Sequence, residues 1–264
     1  MAYASQKSPA DLADKTVMVT GGGRGIGRAL VRGFLSRGAR VVIFTRSKPP
    51  PLNLAEPEEA RCLVVIGDVT SSNDVQNAIS EATHRFGGID VLVNNAGINR
   101  ISPLLEADFG EWARVIEVNL TGLALCTHRI LPLMVKARFG RIINIVSRSA
   151  EDPVAARTAY SASKAGVIAF TRALAMELQQ MKHCDILVNG LIPGPTRTSM
   201  HQADGQDPEL VFPFCLQLAT LPAEGPNGRF FRKGRDYPMY EKFNSGGRSA
   251  RKPYAGILPS WLRR

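Results

Sequence analysis

The chain contains 264 residues, of which 44% are apolar, and it carries a formal net charge of +10. This composition can fill a sizeable core. No apolar run approaches the roughly 18 residues of a membrane span, and residues 1–15 lack the apolar centre of a secretory signal. We therefore expect a cytoplasmic globular protein without membrane association. The charge does not indicate a nucleic-acid partner, because it is concentrated in one segment: ten of the 33 basic residues lie in residues 228–264 beside only two acids, and the rest of the chain is close to neutral.

Apolar β-rich runs alternate with longer helical patterns along the chain, which is typical of βαβ units and a parallel sheet. The predicted strands cover residues 17–20, 40–45, 63–66, 90–93, 141–146 and 185–188, with a seventh at 228–231. The predicted helices cover residues 26–35, 72–86, 109–136 and the segment around Tyr160. We predict an α/β fold with a doubly wound parallel sheet of about seven strands (a Rossmann fold) in a single domain.

The limits of these patterns predict the domain boundaries. Residues 14–240 form the predicted domain, residues 1–13 an N-terminal extension, and residues 241–264 a basic C-terminal tail that we expect to be mobile. The crossover between the second and third strands is rich in proline, at positions 49, 50, 51 and 57, which leaves room for a short helical turn at most. We therefore expect that flank of the sheet to be thinly covered.

A glycine-rich turn follows the first strand directly and opens a helix. Residues 20–27 have the spacing G-x-x-x-G-x-G, and glycines in this setting let the backbone approach a pyrophosphate at the helix N-terminus. We therefore predict a dinucleotide site, with candidate contacts at Gly21, Arg24, Gly25, Ile26 and Gly27.

The end of the second strand indicates which dinucleotide binds. An acid there would accept hydrogen bonds from the ribose hydroxyls of NAD, but the chain has Arg46, with Arg24 within reach of a 2′-phosphate. We therefore predict NADP(H) as the cofactor. The alternative is that both arginines simply face solvent.

Small and polar residues follow the third and fourth strands, at the strand ends where open α/β sheets bind ligands. The candidate cofactor contacts there are Asp68, Val69, Asn95, Ala96 and Gly97. Each segment could also be an ordinary turn, since Asp, Asn and Gly are frequent in turns for local reasons.

Tyr160 and Lys164 lie four residues apart in a predicted helix, so both side chains project from one face. A free tyrosine has a pKa of about 10 and carries protons poorly at neutral pH, and a nearby lysine cation lowers that pKa. Such a pair is common on helix surfaces, but two further residues accompany it. Ser147 closes the fifth strand and Asn119 lies in the long helix before it, which favours a catalytic set of these four residues.

At this point the chain resembles the short-chain dehydrogenase/reductase family over residues 14–198. The matching segments are T-G-G-G-R-G-I-G, the turn at Asp68, N-N-A-G, Asn119, Ser147, Y-S-A-S-K and Pro193-Gly194. The resemblance implies that Tyr160 is the general acid/base and that Ser147 hydrogen-bonds the substrate oxygen. It also implies that Lys164 holds the nicotinamide ribose and lowers the pKa of Tyr160, while Asn119 positions a water.

The resemblance also implies further cofactor contacts and a set of substrate contacts. Further cofactor contacts would come from Pro193, Gly194, Thr196 and Thr198. The substrate would meet Ser149 and Met200 together with Ser147 and Tyr160. The apolar residues of segment 199–214 are suited to form a lid over a lipophilic substrate, but they could equally belong to the core.

The implied function is NADPH-dependent reduction of a ketone or 3-oxoacyl carbonyl to an alcohol, on a small-molecule substrate, by a homo-oligomer (dimer or tetramer). Two alternatives stay open: a catalytically silent dinucleotide-binding regulatory protein, and an enzyme that oxidises an alcohol with NAD. The four cysteines and four histidines are scattered singly, so we predict neither a disulfide nor a metal site.

Overall fold

The computed structural model describes residues 12–181, 183–198 and 205–239. Its central feature is a sheet of eight strands. These are β1 (Thr16–Thr20), β2 (Arg40–Thr45), β3 (Cys62–Ile66), β4 (Val91–Asn94), β5 (Phe139–Ile145), β6 (Asp185–Ile192), β7 (Phe230–Arg232) and β8 (Arg235–Asp236). Their order is β3-β2-β1-β4-β5-β6-β7-β8, and all neighbours are parallel except β7 and β8.

Helices cover both faces of this sheet. They are α1 (Gly25–Ser36), α2 (Glu56–Glu59), α3 (Ser72–Phe86), α4 (Phe109–Ile116), α5 (Gly122–Ala137), α6 (Thr158–Leu178) and α7 (Phe212–Ala219). The core on one face contains α1 and α7, and the core on the other contains α3, α5 and part of α6. Alternate β1 side chains enter the two cores, as Val17 and Met18 do. The predicted doubly wound Rossmann fold is confirmed.

The crossover between β2 and β3 is short, as its prolines predict. Its helix α2 has four residues, none of them buried. The outer strand β3 leaves Val64 42% and Ile66 50% exposed. This edge of the sheet is therefore thinly covered.

The helix predicted over residues 109–136 contains an irregular turn. The segment Glu117–Thr121 between α4 and α5 is a π-helix, so one turn holds an additional residue. Residues 109–137 are long and apolar enough to cross a membrane by length and composition alone, but 44% of that apolar window is buried. Cys126, Ile130 and Met134 of α5 belong to the protein core, so α5 has the character of a core helix.

The C-terminal part differs in detail from the predicted pattern. The seventh strand is Phe230–Arg232 rather than residues 228–231, and the two-residue antiparallel strand β8 was not predicted. The predicted extension through residue 11 and the predicted tail from residue 241 lie outside the described residues.

The predicted lid, residues 199–214, is only partly described. Its residues 199–204, including Met200, lie outside the described part of the chain. Val211 is fully buried, and the Phe212 ring packs edge-on against Phe34 of α1 at 5.3 Å between centroids. Val211 and Phe212 therefore belong to the core beside α1, whereas Leu210 is 56% exposed.

The strand order creates one crevice at the carboxyl edge of the sheet. From β1 the chain builds outward through β2 and β3, and it then returns to build in the other direction from β4. Loops on the two sides of this reversal separate from each other, and ligands of open α/β sheets bind there. The glycine turn and the segment after β4 flank this crevice.

Candidate active site

The glycine turn between β1 and α1 is closely packed. A β-carbon at Gly27 would lie 2.2 Å from the carbonyl oxygen of Gly21, and one at Gly21 would lie 2.9 Å from the Cα of Ala96. Gly21 and Gly25 also have positive φ angles of +64° and +52°. Glycine alone fits these positions without displacing backbone. Ile26 in the same turn is partly buried and packs against the core beneath α1.

The N-terminus of α1 faces this turn without a protein cap. Arg24 occupies the N-cap position in an extended conformation, its side chain forms no capping hydrogen bond, and the first turn of α1 contains no acid. The first N–H groups of a helix have no partner within the helix, and the helix dipole makes this end positive. Within the described residues, this end of α1 therefore offers what an anionic pyrophosphate requires.

Thr20 and Asn95 bind the glycine turn to the end of β4. The Asn95 Nδ2 donates to the carbonyl oxygens of Thr20, at 2.9 Å, and Gly21, at 3.2 Å. The hydroxyl of Thr20 accepts the N–H groups of Asn95 and Ala96, both at 3.0 Å. Asn95 was predicted as a cofactor contact, and here its amide is used to fix the turn. Ala96 is half-buried and packs against the core.

Arg24 follows β1 and Arg46 follows the neighbouring strand β2, both at the carboxyl edge of the sheet. Both side chains are exposed. Among the described residues neither guanidinium forms an ion pair. Both remain available to a phosphate group in the crevice.

Asp68 has protein partners for both carboxylate oxygens. One oxygen accepts the backbone N–H and the hydroxyl of Thr70, at 2.9 and 2.8 Å, and the other accepts from the Arg114 guanidinium. Burial raises the pKa of Asp68, but the hydrogen bonds from Thr70 and the Arg114 charge outweigh it and hold the pKa below its usual value. Val69, the next predicted contact, is buried and packs against Gly122 at the start of α5.

The structure brings Tyr160, Ser147 and Lys164 together at the carboxyl end of β5. The half-buried phenol of Tyr160 is hydrogen-bonded to the hydroxyl of Ser147, which also accepts the N–H of Ser149 at 3.2 Å. Lys164 lies one turn further along α6 and is 5% exposed. Its Nζ lies 5.8 Å from the centre of the Tyr160 ring.

The structure does not show the predicted lowering of the Tyr160 pKa by Lys164. Burial raises the pKa of Tyr160 above its ordinary value, and the hydrogen bond with Ser147 and the charge of Arg157 offset only part of this. Burial also lowers the pKa of Lys164 to about 8. The lysine Nζ donates to the carbonyl oxygen of Ile145 at 2.8 Å, so it is held to the backbone of β5 rather than to the phenol.

Asn119 lies in the π-helical turn and is completely buried. Its Nδ2 donates to the carbonyl oxygen of Ile98 at 2.9 Å and to the Ser163 hydroxyl at 3.0 Å, and its Oδ1 accepts the N–H of Ile98 at 2.8 Å. The Ser163 hydroxyl in turn donates to the carbonyl oxygen of Tyr160 at 2.7 Å. A β-carbon at Gly97 would lie 3.2 Å from this Oδ1. Asn119 therefore connects the segment after β4 to the helix that carries Tyr160.

A chain of buried amides and hydroxyls lies below these residues. Asn94 at the end of β4 donates to Thr127 of α5 at 3.0 Å and to the Asn144 Oδ1 on β5 at 2.9 Å. Asn144 donates to Thr171 of α6 at 2.9 Å. All four side chains are at most 3% exposed. They join α5 and α6 through the sheet.

The loop after β6 returns to the glycine turn. Gly194 has a φ of +82°, its carbonyl oxygen accepts the Thr196 hydroxyl at 3.1 Å, and the carbonyl oxygen of Pro193 accepts the Gln206 side chain at 2.6 Å. The methyl group of Thr198 would lie 3.1 Å from a β-carbon at Gly25. Thr198, one of the predicted contacts of this loop, therefore lies against the dinucleotide turn.

Two functional neighbours were missed by the sequence analysis. Arg114 contacts Asp68 from 46 positions away, and its spacing from the recognised motifs contains no signal that could have identified it. Ser163 lies inside the Y-S-A-S-K segment, so its position was quoted but no role was assigned to it. It bridges Asn119 and Tyr160, a role that only the placement of Asn119 in the π-helical turn reveals.

A comparison with known families supports the geometric assignment. The model of the family described as short chain dehydrogenase matches residues 15–209, which include every described residue of the proposed site. The chain belongs to the short-chain dehydrogenase/reductase family. It is accordingly an oxidoreductase, and its family uses a nicotinamide dinucleotide and small-molecule substrates and often oligomerises.

Other members of this dehydrogenase family resemble the chain over most of its length. A 3-oxoacyl-acyl-carrier-protein reductase from Synechocystis sp. is 36% identical over 205 residues, which cover 76% of this chain and 82% of the relative. An uncharacterized oxidoreductase from Thermotoga maritima is 38% identical over 191 residues, which cover 71% of this chain and 73% of the relative.

A solved structure is also similar to this short-chain dehydrogenase/reductase. The crystal structure of a short-chain type dehydrogenase/reductase from Mycobacterium marinum superposes with a TM-score of 0.76 at 27% identity. The superposition covers 84% of this chain and 94% of the Mycobacterium marinum chain. The two proteins therefore share one fold over nearly the whole length of that relative.

Proposed function

We propose that this short-chain dehydrogenase/reductase reduces a ketone or 3-oxoacyl carbonyl to an alcohol with NADPH, and that Tyr160 is its general acid. The observation that carries the proposal is the half-buried phenol of Tyr160, hydrogen-bonded to Ser147 at the crevice. Its raised pKa keeps it protonated at neutral pH. A protonated phenol beside a second hydroxyl is suited to donate a proton to a carbonyl oxygen.

The residues of the crevice fit a dinucleotide. A β-carbon at Gly27 would occupy the backbone space of the turn, and α1 begins without a side-chain cap or an acid in its first turn. Arg24 and the backbone of the glycine turn would hold the phosphates, and Lys164 would hold the nicotinamide ribose. A bound nicotinamide would supply the hydride for the carbonyl carbon.

The protein groups would act on the oxygen of the same carbonyl. As negative charge develops on this oxygen, hydrogen bonds from Ser147 and Tyr160 stabilise it, and Tyr160 transfers its proton to it to complete the alcohol. Ile145 holds the Lys164 ammonium in place through its carbonyl oxygen. Asn119 keeps one acceptor position on Oδ1 beyond the bond from Ile98, which is where it would orient a water.

Two exposed arginines support NADPH rather than NADH. Arg24 and Arg46 would flank the adenosine ribose of a dinucleotide in the crevice, and guanidinium groups match the geometry of a phosphate. An acid that would accept the ribose hydroxyls of NAD is missing from the end of β2, where Thr45 is followed by Arg46.

The substrate class is proposed from the relatives. The Synechocystis protein is named a 3-oxoacyl-acyl-carrier-protein reductase, and ketones and 3-oxoacyl thioesters present the same carbonyl chemistry to Ser147 and Tyr160. We also propose that the protein works in the cytoplasm as a homo-oligomer, as its scattered cysteines and its family favour.

The test is NADPH oxidation against a panel of ketones, quinones and 3-oxoacyl thioesters, with Tyr160→Phe as the decisive variant. Tyr160→Phe should lose turnover, while the binding of NADPH should still quench the intrinsic fluorescence of this variant. Tyr237→Phe is the matched control, because it removes a phenol hydroxyl that bonds Glu151 outside the proposed set. Undiminished turnover in Tyr160→Phe contradicts the proposed acid.

A further inference from the structure

The segment after β2 lies directly against the glycine turn. A β-carbon at Gly23 would lie 3.0 Å from the hydroxyl oxygen of Thr45 and 3.3 Å from the β-carbon of Pro49. Arg46 directly follows Thr45 and so lies between the two residues that contact Gly23, and its side chain is exposed. The conformation of this short stretch therefore decides where the Arg46 guanidinium lies relative to the turn.

Three consecutive prolines stiffen the proline segment, which we define as residues 48–52. Each proline has a fixed φ angle, and Lys48, Pro49 and Pro50 each precede a proline, which excludes the α conformation for them as well. Such a segment is extended and loses little entropy when it is fixed. Prolines also lack N–H groups, so their only backbone hydrogen bonds to the rest of the protein are those that their carbonyl oxygens accept.

Arg28 on α1 uses those carbonyl oxygens. Its two terminal nitrogens donate to Pro50 at 3.3 Å and to Pro51 at 2.7 Å, one nitrogen to each carbonyl. Beyond them Leu52 is 9% exposed and belongs to the core beneath α1. The proline segment is thus fixed at its far end by a buried leucine and in its middle by a forked guanidinium.

We propose that Arg28 is a positioning residue for cofactor choice: by holding the proline segment against α1, it places Arg46 at the 2′-phosphate of NADPH. This inference rests on the proposed use of NADPH. It adds that the preference depends on the backbone path between Thr45 and Leu52, and not only on the charge of Arg46. Arg28 would act through the proline segment without touching the cofactor.

The test measures kcat/KM with NADPH and with NADH, on one carbonyl substrate, for the full-length chain. In Arg28→Met the NADPH-to-NADH ratio should fall by about fivefold, because a charge-assisted phosphate contact loses its geometry. The value with NADH should change by less than about twofold, since NADH lacks the phosphate that discriminates the two cofactors. Arg37→Met is the matched control, because Arg37 is exposed at the opposite end of α1 and its loss removes the same charge.

A second variant separates the proline segment from the charge of Arg28. Pro51→Gly keeps Arg28 and loosens the backbone, so the ratio should again fall. An unchanged ratio in Pro51→Gly together with a lower one in Arg28→Met overturns the inference, since Arg28 would then act by its charge. A Tm decrease with an unchanged ratio in both variants overturns it as well. A wild-type protein that prefers NADH would contradict the cofactor proposal itself, before any variant is compared.

Discussion

The Nζ of Lys164 lies 2.8 Å from the carbonyl oxygen of Ile145 and is almost completely buried. The lysine is therefore fixed to the backbone of β5 beside the proposed acid, and it is removed from the water that would stabilise its charge. This arrangement costs folding free energy, which a pH-dependent measurement can detect.

Lys164→Met should be more stable than the wild type near neutral pH, by on the order of 2 kcal/mol, because a buried ammonium is replaced by an apolar side chain. The wild-type pKa is lowered to about 8 from an unfolded value of 10.5, so the folded protein loses this proton first as pH rises. The difference in unfolding free energy between Lys164→Met and the wild type should therefore shrink as pH rises from about 8 to about 10. Urea denaturation at the two ends of that range measures it, and an equal difference at both contradicts the shifted pKa.

The phenol of Tyr160 should titrate above its ordinary value in the protein without cofactor, because burial disfavours the phenolate. An ultraviolet titration of the wild type minus that of Tyr160→Phe isolates this one group. In Ser147→Ala the pKa should rise further, since the bond from Ser147 lowers it. A phenol that titrates below about 10 would show that the charge of Lys164 outweighs burial after all.

Ser147→Ala should also lower kcat/KM by about 100-fold, because the substrate oxygen loses one of its two proposed hydrogen-bond donors. The comparison variant is Ser36→Ala, which removes an exposed serine hydroxyl on α1 outside the proposed site. If Ser147→Ala reacts as fast as Ser36→Ala, Ser147 does not contact the substrate oxygen.

Ser163→Ala should destabilise the protein by about 1–2 kcal/mol, because an Asn119 N–H and the Tyr160 carbonyl oxygen each lose a buried partner. Ser161→Ala in the same helix is the control. The buried hydroxyl of Ser161 has no hydrogen-bond partner among the described residues, so its removal should be neutral or stabilising. Urea denaturation midpoints of Ser163→Ala and Ser161→Ala measure this difference in stability. Equal destabilisation of the two variants argues against the bridging role of Ser163.

Gly27→Ala should lose cofactor binding and at least about 2 kcal/mol of stability, because its β-carbon would meet the Gly21 carbonyl oxygen at 2.2 Å and backbone would have to move. Gly88→Ala is the control, since a β-carbon there has no neighbour within 4 Å. Thermal unfolding and NADPH fluorescence measure both effects. Wild-type binding by Gly27→Ala would mean that the turn opens without consequence for the site.

The sequence predicted the sheet well because burial on both faces makes each parallel strand a short apolar run between turns. β8 escaped prediction because two exposed residues, Arg235 and Asp236, contain no pattern. The π-helical turn at Asn119 escaped it because one additional residue within a long apolar helix hardly alters the spacing of its buried side chains.

The candidate site was predictable where its residues are close in sequence or follow strand ends. The partnership of Asp68 and Arg114 was not, because it depends on how the segment after β3 meets α4 in three dimensions. The contribution of burial to the pKa of Tyr160 was not predictable either, for a similar reason. Helical spacing puts Lys164 on the same face as the phenol, but it contains no information on the depth of burial or on the carbonyl oxygen of Ile145.

The buried chain through Asn94 and Asn144 has a consequence for how the sheet assembles. The two amides face each other across β4 and β5, next to the aliphatic pair of Val93 and Ile143. If β5 slipped by one residue along β4, Asn94 would face Ile143 or Ile145, and both the bond between the two amides and the bond from Asn144 to Thr171 would be lost. Each buried polar group left alone costs about 1–3 kcal/mol. The asparagine pair therefore helps to specify the register of β4 and β5, because the Val, Leu and Ile side chains of these strands could also pack in a shifted pairing.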